Sequence, residues 1–174
     1  PSPLQSGINN FLSNLRAPLV VVNQLLQGQG ENAVQSSGRF IVNSTVGVFG
    51  LFDIAEKMGL EEKEEDYGQT LATWGVGDGF YIVLPLFGPS NLRDTSGMVL
   101  TMMTDPINAY AVSEGEAWLV PMRTAVNAVD TRSKIIDEVN ALRDNSVDYY
   151  AAVRSSYYQN REAAINNVDD SELT

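Results

Sequence analysis

Three stretches of this sequence have residue types and spacings that could do chemistry. Gly28, Gly30 and Ala33 in GQGENA satisfy the dinucleotide pattern G-x-G-x-x-G/A after an apolar run, with Asp53 about 25 residues further on. On that reading residues 19–26 form a strand, the glycines let the backbone approach a pyrophosphate, and Asp53 holds a ribose. The chain would then be a soluble dinucleotide-binding enzyme. The competing reading is that the two glycines end one helix and start another. A second glycine cluster, GVGDGFY, lacks the Lys and Ser/Thr of a P-loop, so nucleotide hydrolysis has no support. The acidic run at residues 61–66 has neither EF-hand spacing nor a central glycine and reads as a solvated face.

Composition removes most other chemistry. The 174 residues contain no His and no Cys, so common proton shuttles, thiol nucleophiles and Zn or Fe–S ligands are missing. No G-x-S-x-G is present either. We therefore expect no catalytic residue, no metal and no cofactor. A formal charge of −11 without a basic cluster opposes nucleic-acid binding. The acids are unevenly spread. Residues 56–66 carry six acids against two bases and residues 130–174 carry nine against five, while residues 17–30, 40–52 and 79–92 carry no charge at all. These runs of 13 or 14 residues fall short of the roughly 18–20 needed to span a bilayer. They suit buried core helices or interfacial segments. No basic region followed by an apolar one opens the sequence, so either a signal has been removed or the chain is cytoplasmic.

The elements that position these stretches are predicted to be helices. Leu4, Ile8, Phe11 or Leu12 and Leu15 share one face, and Pro18 is expected to end this first helix near Arg16. PLVVVNQLLQG is apolar on every side, which requires burial in protein or lipid. Residues 31–46 place Val34, Ser37 or Gly38, Ile41 and Thr45 on one face, and a glycine-broken apolar segment then runs to Gly59. Asp66 and Gln69 form a capping box for a helix through Leu71 and Trp74. The glycines and prolines of residues 75–91 predict a short hairpin or extended loop. Asn91 with Asp94 and Asp105 with Pro106 open two further helices. Ser113 and Glu116 suggest another capping box ahead of a long helix, inside which Pro121 should force a kink. On that helix Met122, Ala125, Val129, Arg132, Ile136, Val139 and Arg143 keep a three-four spacing. A last helix carries Tyr149, Tyr150, Tyr157 and Tyr158, either as an interfacial belt or half-buried. The predicted architecture is all-α: a single domain over residues 1–165, about seven or eight amphipathic helices, one Gly/Pro-rich loop or hairpin, and a disordered tail at 166–174.

Three strings, NNFLSNLRAPLVVVNQLLQG, GRFIVNSTVGVFGLFDIA and EEDYGQTLATWGVGDGFYIVLPLFGPSNLRD, resemble the MlaA/VacJ family of Gram-negative outer-membrane lipoproteins in order and interval. Gly68-Gln69-Thr70-Leu71, Trp74-Gly75-Val76-Gly77, Leu84-Pro85, Gly88-Pro89 and Leu92-Arg93-Asp94 carry the match, strongly over residues 4–110 and loosely beyond. The resemblance implies a ring of helices in the periplasmic leaflet of the outer membrane, with an amphipathic channel. It also implies removal of phospholipid that has strayed into the outer leaflet. The lipid would pass to a soluble periplasmic carrier while the protein is attached to a trimeric porin, which maintains lipid asymmetry. The family's lipid-modified Cys and first helices are missing from this sequence, so a shortened form is expected. Asp78 and Phe80 stand where many relatives carry proline.

On this reading Leu19, Val20, Val22, Leu25, Leu26, Phe49, Leu51 and Phe52 meet either lipid or the ring core. Gly75, Gly77 and Gly79 make the loop before Phe80 and Tyr81, with Pro85 beyond, mobile enough to gate the channel. The acidic segments face water. A porin-bound scaffold that moves no lipid is a further alternative, beside the dinucleotide-binding enzyme.

Overall fold

Helix-forming residues run from the start of the described chain through the first proline expected to stop them. The computed structural model describes residues 3–167, without the side chains of Asp130, Lys134, Ile135, Asp137 and Glu138. Helix α1 is Pro3–Leu26 and contains Pro18. The expected break near Arg16 is therefore corrected. Pro18 withholds one N–H from the Asn14 carbonyl, a loss of about 3 kcal/mol in an isolated helix. Here α2 (Gly30–Thr45) packs along α1 and splints it: Asn14 Nδ2 donates to Ser44 Oγ at 2.9 Å, and Leu19 is buried just beyond the proline.

The chain divides into two compact units, residues 1–70 and 71–174. The first holds α1, α2, the one-turn α3 (Ile54–Lys57) and most of α4 (Tyr67–Thr73). The strand that the dinucleotide reading needs at residues 19–26 is part of α1, so that reading is corrected. Gly28, with φ of +78°, simply turns the chain between α1 and α2. Asp53 is the N-cap of α3, where its Oδ1 accepts from Glu56 N at 2.9 Å. The capping box of Asp66 and Gln69 forms as expected: Gln69 N donates to Asp66 Oδ1 at 2.9 Å, and Asp66 N to Gln69 Oε1 at 2.8 Å.

The second unit begins with a hairpin, β1 (Tyr81–Leu84) against β2 (Gly88–Asn91), antiparallel with Tyr81 opposite Asn91. Four helices follow: α5 (Leu92–Thr104), α6 (Pro106–Ser113), α7 (Leu119–Asn145) and α8 (Tyr149–Ile165). Asn91 and Asp105 cap α5 and α6 as predicted, accepting from Asp94 N at 2.7 Å and Ile107 N at 2.8 Å. The box of Ser113 and Glu116 does not form. Ser113 ends α6, Glu116 accepts from the Trp118 indole, and α7 begins at Leu119. Pro121 thus falls in the first turn, where its missing N–H has no partner to lose, and no kink is needed. Eight helices and one hairpin among the described residues make the fold all-α apart from that ribbon. Most of the predicted tail, from residue 168 on, lies outside the described residues.

Burial runs opposite to that of a water-soluble domain. Among the described residues the buried apolar side chains are two leucines, Leu12 and Leu19, and four alanines. The largest fully buried side chains are Gln24, Asn23, Asn91, Thr70 and Ser90. Polar groups rarely occupy such positions unless they bond one another.

Candidate functional site

In the first unit the polar faces of α1 and α2 meet each other, and their apolar faces turn outward. Asn23 Nδ2 donates to the Leu19 carbonyl at 2.9 Å, and its Oδ1 accepts from Thr70 Oγ1 at 2.7 Å. Gln27 Nε2 reaches Glu65 Oε2 at 2.8 Å. Glu65 is buried, so the acidic run at 61–66 is not uniformly the solvated face the sequence suggested. Farther along α2, Arg39 Nη2 pairs with Asp53 Oδ2 at 2.7 Å, while Asn43 Nδ2 donates to Asp53 Oδ1 at 3.0 Å. Burial opposes ionisation of Asp53. The Glu56 N–H, the Asn43 amide and the Arg39 guanidinium outweigh it and hold the carboxyl below its ordinary value.

Of the eight residues predicted to meet lipid or core, Leu19 is buried and Val20 half-buried. Val22, Leu25 (60% exposed), Leu26, Phe49 (75% exposed), Leu51 and Phe52 point outward. The last three ride on a tight loop, residues 46–53. Val48, Phe49 and Gly50 have φ of 54°, 57° and 89°, a left-handed conformation costing roughly 1–2 kcal/mol for each of the two non-glycine residues. The loop folds back on α2 through Gly50 N to Asn43 O at 2.8 Å and closes on itself through Phe52 N to Gly47 O at 2.9 Å. A Cβ at Gly47 would lie 2.3 Å from the Phe52 carbonyl oxygen, so only glycine fits. Strain is thus accepted to display Val48, Phe49 and Phe52.

Sequence reasoning missed Val34 and Ile41 as surface residues. It placed them on one face of α2 without saying which way that face turns, and both are exposed. The signal was available in the opposite face, where Ser36, Arg39 and Asn43 recur at three-four spacing and are buried.

In the second unit the residues predicted to form a gate lie along one segment ahead of and within the hairpin. Gly75 and Gly79 adopt φ of 88° and 69°, Phe80 precedes β1, Tyr81 opens it, and Pro85 enters the exposed turn. The segment is tethered at its middle. Asp78 Oδ1 meets Arg93 Nη1 at 2.5 Å, and the Asp78 carbonyl accepts from Arg93 N at 3.2 Å. Arg93, buried at the start of α5, also bonds Asp94 Oδ1 through Nε at 3.0 Å. Asp94 collects two further donors from α8, Tyr157 Oη at 2.5 Å and Arg161 Nη2 at 3.0 Å, and pairs with the Arg161 guanidinium 2.7 Å from its Oδ2. Burial and the bond to Asp94 push the Tyr157 phenol well above its ordinary value. The Tyr81 ring lies 5.7–6.1 Å from those of Tyr150, Tyr157 and Tyr158, with the Arg154 guanidinium 5.7 Å from its centroid. Of the tyrosine pairs, Tyr157 and Tyr158 are half-buried and Tyr149 and Tyr150 exposed.

Among the described residues no helix is long and apolar enough to cross a membrane, and no group of three acidic side chains could hold a metal ion. These features define a mainly helical protein that buries polar side chains, most of those in the first unit hydrogen-bonded, and exposes many of its large apolar ones. The family model of the MlaA lipoproteins matches residues 1–164, and the chain belongs to that family. It is 33% identical over 170 residues to the intermembrane phospholipid transport system lipoprotein MlaA of Escherichia coli K12, covering 95% of this chain and 65% of the relative. An uncharacterized protein of Rickettsia prowazekii is 36% identical over 163 residues, 93% of this chain and 63% of the relative. The chain therefore spans a little under two thirds of the length of these curated relatives. A solved structure described as the structural basis for maintenance of bacterial outer membrane lipid asymmetry matches with a TM-score of 0.79 and 33% identity, over 95% of this chain and 81% of that one.

Proposed function

We propose that this protein is the outer-membrane component of a phospholipid transport system, taking mislocalised phospholipid from the outer leaflet and delivering it to a soluble periplasmic carrier. The observation that carries this reading is the reversed burial: outward Val22, Leu25, Leu26, Phe49 and Phe52 over inward Asn23, Gln24, Arg39 and Asn43. An exterior of that kind is stable against acyl chains and costly against water. A phospholipid has about 30 methylenes, and at roughly 0.8 kcal/mol each their exposure would cost more than 20 kcal/mol, so a lipid leaving the bilayer needs an apolar wall beside a wet path for its head group. Charge-free helix faces supply the wall and buried amides the polar path.

The protein would sit in the periplasmic leaflet, beside a trimeric porin, and pass lipid through an amphipathic channel. Gly75, Gly77 and Gly79, with Phe80, Tyr81 and Pro85, form the gate. Because Asp78 is tied to Arg93, movement is concentrated at Gly75 and Gly77, ahead of the tether. Purification from outer membranes followed by mass spectrometry of copurified lipid tests the function directly. Phospholipid in stoichiometric amount is expected, with transfer to the carrier slowed by Gly75→Pro. A protein that binds porin and no lipid would return the chain to a scaffold role.

A further inference from the structure

A cleft of about 40 Å³ opens between α1 and α2 in the first unit, and its lining is chemically mixed. Its polar lining includes Arg39, Glu62, Lys63, Ser13 and Ser36, and Val20 and Phe40 line it as well. The volume accommodates about three waters at ~10–15 Å³ each, which is the scale of a phosphate and not of a sugar ring, and the half-exposed Glu62 stands at its mouth.

Not all of the polar lining is occupied. Arg39 is committed to Asp53 at 2.7 Å and to the Leu60 carbonyl. Glu62 lies 3.7 Å from Arg39 and is about half exposed. Among the described residues the Lys63 ammonium has no carboxylate within ion-pair distance, and neither Ser13 nor Ser36 bonds any group, although Ser36 is buried. Two hydroxyls without a protein partner, lining the same cleft as an ammonium with no carboxylate in reach, are donors open to an acceptor that enters it. The charges of Arg39, Lys63, Asp53 and Glu62 cancel, so the cleft is neutral overall yet offers a cation and a carboxylate from adjacent residues.

We propose that this cleft is the head-group subsite for a zwitterionic phospholipid bearing a primary amine. The phosphate lies against Lys63, Ser13 and Ser36, and the ammonium against Glu62. The inference rests on the phospholipid reading above and narrows it to a head-group class. A net-neutral site favours a net-neutral ligand, since an anionic glycerol head group would bring an uncompensated charge. Glu62 accepts hydrogen bonds that a primary ammonium donates and a quaternary one lacks. Val20 and Phe40 continue onto helices whose next outward residues, Val22 and Ile41, are exposed and apolar, so tails leave the cleft along a greasy path.

The test incubates the full chain in detergent with vesicles of equimolar phosphatidylethanolamine and phosphatidylglycerol, then repurifies it and measures bound lipid by mass spectrometry. Wild type is expected to be enriched in phosphatidylethanolamine. Glu62→Gln should lower that enrichment about fivefold, and Lys63→Glu should lower total bound phospholipid about fivefold, with Lys63→Arg restoring it. Lys63 is partly exposed and without partners, so circular dichroism melts should show its variants folded; if Lys63→Glu fails to fold, Lys63→Gln is read in its place. Lipid uptake with the same amount and head-group ratio in every variant overturns the head-group assignment and leaves the transport reading standing. A wild type that takes up no phospholipid overturns both. Lys63-dependent binding of inorganic phosphate without bound lipid overturns the assignment in favour of a free-anion site.

Discussion

Removing the Asp53 carboxylate should unfasten the first unit, because one side chain holds three elements. Its Oδ1 caps α3 through Glu56 N at 2.9 Å and accepts from Asn43 at 3.0 Å, and its Oδ2 pairs with Arg39 at 2.7 Å. Deleting an N-cap costs about 1 kcal/mol. Leaving a buried cation without its anion costs about 3–5 kcal/mol, and the Arg39 side chain is 9% exposed. Glu62 remains 3.7 Å from Arg39 and the neighbouring cleft admits water, so the lower end applies and Asp53→Ala should lose about 4 kcal/mol in all. Asp53→Asn keeps an acceptor for Glu56 N and should lose about half as much. In Arg39→Met/Asp53→Ala the stranded cation is gone, so the double variant should be more stable than the sum of the singles by about 1–2 kcal/mol. Urea unfolding followed by far-UV circular dichroism in mild detergent measures wild type and the four variants, Arg39→Met alone included. The pH dependence has a fixed sign. Asp53 has a folded value below its ordinary 3.8, so its contribution is present above 3.8 and lost as pH falls through the folded value. The gap between wild type and Asp53→Asn should therefore narrow below pH 3.8. An Asp53→Ala protein within about 0.5 kcal/mol of wild type, or strict additivity in the cycle, would refute this account of the core.

Gly79→Ala should destabilise the second unit by about 1–3 kcal/mol, since φ is +69° and the new Cβ would lie 2.8 Å from Leu92 Cβ; Gly77→Ala, with nothing within 4 Å, should melt like wild type. Phe49→Asp should leave stability in detergent unchanged, because the ring is exposed, yet weaken vesicle flotation about tenfold or more. Unaltered flotation would argue against lipid contact by the loop. Tyr157→Phe should cost about 1.5–3 kcal/mol by removing a hydrogen bond to the buried Asp94 carboxylate. Since burial and Asp94 raise the phenol above 10.0, its stabilisation is complete below that pH and declines above it. Alkaline melts of Tyr157→Phe should lack this component.

Local punctuation was legible in the sequence. The caps at Asp66, Asn91 and Asp105 and the hairpin between residues 75 and 91 depend on contacts a few residues apart, so the residue types alone were enough. Two local signals misled for opposite reasons. Pro18 was read as a stop because the splint that keeps α1 continuous comes from Ser44, 30 residues away. Pro121 was read as a kink because the Ser113 box placed the helix start too early, and the true start at Leu119 makes the proline harmless. Of the candidate surface, the sequence singles out Leu25, Phe49 and Phe52 as meeting lipid or core, whereas it gives Arg39 and Asn43 no role and Asp53 only the ribose contact of the dinucleotide alternative.

The amino-acid sequence by itself determined that the chain is mainly helical, where α4, α5 and α6 begin, and that residues 4–15 and 31–46 each carry a recurring face. Periodicity cannot say whether such a face turns inward, because that depends on what covers it and not on the residues of one helix. The tertiary structure decided it. Asn14, Asn23, Gln27, Arg39 and Asn43 find partners on other segments, so their burial is balanced by hydrogen bonds and an ion pair. The apolar faces of α1 and α2, with no partner element left to cover them, are turned to the outside.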